Sequence, residues 1–388
     1  MTVVRVRVST LKKRPPLSVG MNTRDLSANE PYVPGRGVEE VARDLGAEPE
    51  DLVKLSSNEN PFGPSPRAVE AARAAAETAH VYPKAAHTDL TEALADEWGV
   101  SPAQVWVSPG ADGALDYLAR ATLEPGDGVL VPEPGFAYYP MSARYHHGTV
   151  AEYPVAPADG FAQTADTVLD AYDGERIVYV TSPHNPAGTE LPREELVTLL
   201  AGVDEETLVV ADEAYGEYTE TPSAAGLLDE YENVAVTRTF SKAYGLAGLR
   251  VGYALVPEAW ADAYARVNTP FAANAVALDA ALAALDDDEH VEQTVEAARW
   301  AREHVASELD APTVESAGNF VLAEVGDGAA VAERARERGV IVRDTSSFGL
   351  PEHVRISCGT EAETREAVAT LNEVLADLDP DLDLGAEA

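Results

Sequence analysis

The stretch NVAVTRTFSKAYGLAGLRVGYALV, residues 233–256, holds two apolar runs joined by a glycine-rich turn. NVAVTRTFSK (233–242) and RVGYALV (250–256) each read as a short strand buried on both faces. The first delivers Thr239, Ser241 and Lys242 into the turn, and Arg250 follows eight residues after the lysine. Four earlier runs have the same character: QVWVSPG (104–110), DGVLVPEPG (127–135), RIVYVTSP (176–183) and TLVVADEAY (207–215). Amphipathic helical stretches, such as 111–122 and 193–201, lie between them. This alternation predicts an α/β fold with a largely parallel sheet, whose polar strand ends mark the ligand-binding edge.

After Pro270 the pattern changes. Residues 272–285 and 288–308 read as long helices, followed by strands at 320–325 and 354–357, which together suggest a smaller α+β domain. The segment 32–61 precedes the α/β pattern and is expected to pack with that smaller domain. The expected division is an extension at 1–20, an arm and part of the small domain at 21–62, a large domain at 63–271, a small domain at 272–380 and a tail at 381–388. The first twenty residues hold five basic residues and no acid, then Met21. They lack the apolar core and cleavage site of a targeting peptide, so they read as an extension or as sequence upstream of a true start at Met21.

Composition sets outer limits. A chain of 388 residues is long enough for two well-buried cores, and 45% hydrophobic content is that of a globular protein. No apolar run reaches the length of a bilayer span. The single cysteine, Cys358, excludes a disulfide framework and a cysteine-based metal cluster, and the expected location is cytoplasmic. Sixty-seven acidic residues against 28 basic ones leave a net charge of −39. Such a surface repels nucleic acid and anionic membranes, and it implies adaptation to high salt, where screening relieves self-repulsion. Only five lysines occur, two of them (Lys12 and Lys13) in the N-terminal tail. Lys54, Lys84 and Lys242 remain, and each raises the question of why arginine would not serve.

Hydroxyls and a guanidinium around Lys242 suit a phosphorylated aldehyde: the amine forms an imine while its neighbours hold the phosphate. In TLVVADEAYGEY (207–218), Asp212 ends an apolar strand, where a carboxylate needs a partner. A protonated pyridine nitrogen is one candidate, and capping of the next turn is the other. Tyr215 could donate to a phenolic ring oxygen. Asn185, between two turn prolines, could bond the same oxygen or its own backbone. Ala111 and Asp112 open a helix after a glycine turn, where free N–H groups either cradle a phosphate or merely start the helix. Phe136 and Tyr139 follow a strand end and could stack on a flat cofactor or pack in the core. No GxGxxG, GxxxxGK[ST] or GxSxG motif occurs, and adjacent His146 and His147 diverge on any regular element, so no metal site is expected. The acidic run 286–289 reads as a solvated loop.

Asn185, Asp212 and Lys242, at intervals of 27 and 30 residues, with Arg250 eight further on, resemble the fold-type I, pyridoxal-phosphate-dependent aminotransferases. Within them the chain is similar to the histidinol-phosphate aminotransferase family from Pro31 to Leu375. PYVPG (31–35), LSSNENPFGPSP (55–66), TFSKAYGLAGLRVGYA (239–254) and VRISCGT (354–360) carry the likeness. The resemblance implies Lys242 as the Schiff-base lysine, Asp212 as partner of the pyridine nitrogen, and Asn185 with Tyr215 on the ring oxygen. It places Ala111, Asp112, Thr239, Ser241 and Arg250 on the phosphate of pyridoxal 5'-phosphate. Tyr82 would reach the phosphate of a neighbouring subunit, which implies a homodimer. Tyr32, Asn60, Arg343 and Arg355 would grip substrate. The family's usual Pro-Thr-aromatic is here Pro134-Gly135-Phe136, with Phe136 as the stacking ring.

The activity so implied is transamination between histidinol phosphate and 2-oxoglutarate, giving imidazole-acetol phosphate and glutamate, with Lys242 as general base and Arg355 binding phosphate or carboxylate. Three rivals share parts of the reading. A threonine-phosphate decarboxylase would also suit RDTSSFGL (343–350), an aromatic or broad-range aminotransferase would act on phenylalanine, and a non-catalytic regulator would need a binding module that the sequence lacks.

Overall fold

Strands buried along their whole length need cover on both faces, and this requirement organises the larger part of the molecule. The computed structural model describes residues 24, 26–29, 31, 37–84 and 87–378. Its strands run β1 Val53–Leu55, β2 Val105–Ser108, β3 Gly128–Glu133, β4 Thr149–Pro154, β5 Ile177–Thr181, β6 Leu208–Asp212, β7 Val234–Thr239, β8 Gly252–Leu255, β9 Phe320–Glu324, β10 Val340–Asp344 and β11 His353–Ser357. A seven-stranded sheet has the order β2-β8-β7-β6-β5-β3-β4. Its pairs are parallel except those made by β8, which is antiparallel to β2 and β7. The α/β class and the six strands expected between 104 and 256 are present.

Side chains alternate across this sheet. Leu130, Val178, Val180, Val209, Ala211 and Val236 enter one core, which also takes in the helix Ala275–Leu285. Val129, Val131, Tyr179, Val210 and Ala235 enter a second core, against the helix Gly110–Thr122. Parallel strands place their C-terminal ends along one edge, so Thr181, Asp212 and Thr239 emerge together. Antiparallel β8 begins at that edge, where Gly252 pairs with both Ser108 and Thr239.

A four-stranded sheet, ordered β1-β10-β11-β9, forms a separate core under the helices Asp288–Glu308, Gly328–Glu337 and Glu361–Leu378. Val340, Val342, Val354 and Ile356 point into it. By alternation Arg343 and Arg355 point to the opposite face. On that same face Phe320 and Leu322 join clusters shared with the larger part of the molecule.

Three strands escaped the sequence pattern. β1 is only three residues long, β4 is an exposed edge strand, and β10 runs straight into the polar RDTSS turn. The expected helix at 272 begins at Ala275, because Asn274 caps it by accepting from Ala277 N–H. Although that helix follows the change of pattern at Pro270, it packs in the core of the larger sheet. The regions expected at 1–20 and 381–388 lie outside the described residues, as does Tyr32. No helix among the described residues is long and apolar enough to cross a membrane.

Candidate active site

Where β2, β7 and β8 meet, the backbone forms a cradle. Gly110 opens its helix with φ +79°, and a Cβ there would fall 2.4 Å from Arg250 Nη2. A Cβ on Gly252 would fall 2.7 Å from the Ala111 nitrogen. Gly110 is favoured by its left-handed conformation, and Gly252 is required by close approach to backbone. Arg250 reaches Asp112 Oδ2 at 3.1 Å and Ser241 Oγ at 3.4 Å. Thr239 Oγ1 accepts from Ser241 N–H at 3.1 Å. The structure thus brings Ala111, Asp112, Thr239, Ser241 and Arg250 together at the start of a thirteen-residue helix, a favourable place for an anion. Asp112 occupies Arg250 here, so an entering phosphate would compete with its carboxylate.

Lys242 leaves the end of β7 beneath Tyr215, with Nζ 5.5 Å from the ring centroid. Among the described residues it has no ion pair or side-chain hydrogen bond. Tyr215 is fixed in turn: its ring packs edge-on to Phe320, and its hydroxyl accepts from Asn58 Nδ2 at 3.0 Å. Asn58, with φ 53° and almost no exposure, is held by Ser357 Oγ and Asn319 Nδ2. Sequence reasoning missed Asn58 and chose Asn60. Asn60 spends its amide hydrogens on Ala243 O and Thr294 Oγ1 and accepts from Phe62 N–H, so it braces the residue after Lys242.

Asp212 is buried, and no cation faces it among the described residues. Its Oδ1 accepts from Ala214 N–H at 3.0 Å and its Oδ2 from the Tyr139 hydroxyl at 2.6 Å. Burial pushes its carboxyl up to about 6, against the opposing pull of these donors. A fully buried carboxylate without a cation is what a cationic ring nitrogen would complete. The two aromatics after β3 separate cleanly. Tyr139 is a core residue stacked on Tyr179 at 4.5 Å, whereas Phe136 is half-buried beside the strand end. The loop bearing Phe136 is tied to that bearing Asn185 by His184 Nε2, 2.9 Å from Pro134 O.

Asn185 Oδ1 accepts from Arg355 Nη1 at 2.5 Å, which links the edge of the large sheet to the face of the small one. Arg355 also lies 5.3 Å above the Phe320 ring and 5.7 Å above Phe348. Arg343 donates to Ser347 Oγ at 3.1 Å and lies 5.9 Å from the same Phe348 ring. Phe348 was passed over in the sequence, because a lone aromatic in a polar loop gives no signal of what it supports. Tyr82 stands apart from this constellation. It is 79% exposed and packs on Phe271 at 4.8 Å, near exposed Val81. His146 pairs with Asp116, and among the described residues no group of three or more His, Cys, Asp or Glu could hold a metal ion.

The profile of the family "Aminotransferase class I and II" matches residues 50–371. A histidinol-phosphate aminotransferase of Halorubrum lacusprofundi is 71% identical over 358 residues, covering 92% of this chain and 98% of that protein. One of Haloferax volcanii is 68% identical, covering 92% and 99%. Among solved structures, the histidinol-phosphate aminotransferase of Sinorhizobium meliloti in complex with pyridoxal-5'-phosphate superposes with a TM-score of 0.83. It is 30% identical and covers 93% of this chain and 99% of that one.

Proposed function

We propose, from the premise that this chain belongs to the class I and II aminotransferases and within them to the histidinol-phosphate aminotransferases, that it moves an amino group between histidinol phosphate and 2-oxoglutarate. The products are imidazole-acetol phosphate and glutamate, and histidine biosynthesis uses the reverse direction. The observation that carries this reading beyond family membership is the pair Arg343 and Arg355, both on the sheet face that Asn185 joins to the strand-end cluster. Two guanidinium groups suit a phosphate dianion, and one planar fork also suits the carboxylate of the second substrate.

The residues fit pyridoxal phosphate. Gly110 and Gly252 leave space that a Cβ would fill, and Asp212 is a buried carboxylate with no protein cation against it among the described residues. Ala111, Asp112, Thr239, Ser241 and Arg250 would hold the phosphate, and Lys242 would be the point of covalent attachment. Asp212 would face the ring nitrogen, Asn185 and Tyr215 the ring oxygen, and Phe136 one ring face. Bound there, the cofactor supplies an electron sink for the charge left when a proton departs from the substrate Cα.

The chain's own groups do the rest. The Lys242 amine takes that proton and returns it as general base and acid. Asn58 holds the Tyr215 hydroxyl so that its single proton points away from the asparagine amide. Arg355 sets the distance of the substrate's anionic end from Lys242, with Phe320 and Phe348 limiting water around the guanidinium. The exposed Tyr82, Val81 and Phe271 suit a homodimer in which Tyr82 reaches the partner's phosphate site. A cytoplasmic location agrees with this chemistry. So does a two-part division near residues 62 and 271, with the helix Ala275–Leu285 lying against the large part.

The deciding assay supplies the cofactor-loaded protein in high salt with histidinol phosphate and 2-oxoglutarate, and in parallel with L-threonine phosphate or phenylalanine. Glutamate formation that depends on histidinol phosphate is expected. Carbon dioxide released from threonine phosphate without 2-oxoglutarate, or a preference for phenylalanine, would overturn the reading.

A further inference from the structure

Tyr139, three residues after Phe136, has no task in the proposed chemistry. It is fully buried, 73 residues from Asp212 in sequence, and bonded to it at 2.6 Å. The direction of that bond follows from valence. An ionised carboxylate only accepts, so the single Tyr139 proton points at Asp212 Oδ2. Thr181 Oγ1, 2.8 Å from the Tyr139 oxygen, must then be the donor in its own contact. Thr181 stands at the end of β5 and pairs in register with Asp212 at the end of β6. Its own carbonyl accepts from Gln163 Nε2. Tyr179, two residues earlier, stacks on the Tyr139 ring with planes 10° apart and prevents the hydroxyl from swinging away.

We infer that Tyr139 is a positioning residue, oriented by Thr181 and Tyr179, which holds the Asp212 carboxylate in one rotamer and sets its affinity for a proton. The inference rests on the functional reading above, in which Asp212 faces a ring nitrogen. The groups that face Asp212 are Tyr139 from the helix Tyr138–Tyr145, Tyr179 from β5, Thr237 from β7 and Asp112 from the helix Gly110–Thr122. Of these, Asp112 opposes ionisation, whereas Tyr139 favours it by hydrogen bonding. The Ala214 N–H occupies the other oxygen. Each carboxylate oxygen so keeps a lone pair, and the protein donors fix which direction those lone pairs face.

The test reads cofactor binding by the cofactor-free chain, followed by tryptophan fluorescence from pH 5 to pH 9 in constant high salt. The wild-type Kd for pyridoxal phosphate should rise as pH falls through the range where Asp212 takes up a proton. Tyr139→Phe keeps the ring and its stacking but removes the donor. Its acid limb should move to higher pH by about one unit or more, the size of a lost charge-assisted hydrogen bond. Thr181→Val, which removes only the outer donor, should move the limb the same way by less, and it serves if Tyr139→Phe does not fold. On an Asp212→Asn background, adding Tyr139→Phe should change the limb not at all. A uniform loss of affinity at every pH, or an unmoved limb in both single variants, overturns the inference alone. A wild-type chain that does not bind pyridoxal phosphate overturns the functional reading instead.

Discussion

Arg343 and Arg355 are direct register partners across β10 and β11, and their guanidinium carbons lie 5.9 and 5.7 Å from one Phe348 ring. Like charges facing each other on a sheet destabilise it by up to about 1 kcal/mol. The aromatic face between them offsets part of that cost, and an anionic ligand would offset the rest.

Arg355→Ala should lower kcat/KM in both half-reactions by at least about a hundredfold, since a charge-assisted contact is lost in a largely buried place. Arg355→Lys should recover little of it, because an ammonium cannot copy the planar fork. Arg343→Ala should cost about tenfold, mostly in KM for the phosphorylated substrate, and should leave the melting temperature unchanged or higher. Steady-state kinetics with each substrate check this, and near-normal rates for Arg355→Ala would remove it from the site.

The raised carboxyl of Asp212 has a definite sign in stability. A group whose folded pKa lies above its unfolded value adds stability that is complete below the ordinary carboxylate range and is lost as pH climbs through about 6. Asp212→Asn lacks this titration. In the cofactor-free protein its stability relative to wild type should therefore increase from pH 4 to pH 6 and level off above pH 7. The total change is about 3 kcal/mol for a shift of roughly two units. Denaturant unfolding of both proteins at fixed salt measures it, and a flat difference would contradict the burial argument.

Gly110→Ala places a Cβ 2.4 Å from Arg250 Nη2 at a φ of +79°. Because the Arg250 side chain is about half exposed, its end can yield, so the fold should survive with a loss of about 1–2 kcal/mol. Cofactor affinity should fall at least tenfold, since Arg250 would no longer reach the same point. Equilibrium dialysis against pyridoxal phosphate separates the two effects.

A chain of net charge −39 repels itself at low ionic strength. The melting temperature should rise steadily as potassium chloride is raised from about 0.1 M to 2 M, where the Debye length shrinks from about 10 Å to less than 3 Å. A salt-independent melting point would show that local pairing already neutralises the surface.

What the amino-acid sequence determined by itself was the sheet and its reactive edge. A run such as LVVAD or VAVTRT can only be buried on both faces, and a polar residue that ends such a run must emerge at the strand terminus. Asp212, Thr239, Lys242 and Arg250 were therefore legible one by one, and their spacing carried the family. Tertiary structure alone decided which polar group meets which. Asn58 and Asn60 are equivalent on paper, two residues apart, but the positive φ of Asn58 turns one amide to Tyr215, 157 residues away, and leaves the other to brace Ala243. The same holds for Tyr139 on Asp212 and for Arg343 opposite Arg355. Burial is a property of composition along a strand and can be read locally, whereas a hydrogen bond depends on direction to within a few tenths of an ångström, which only the folded chain supplies.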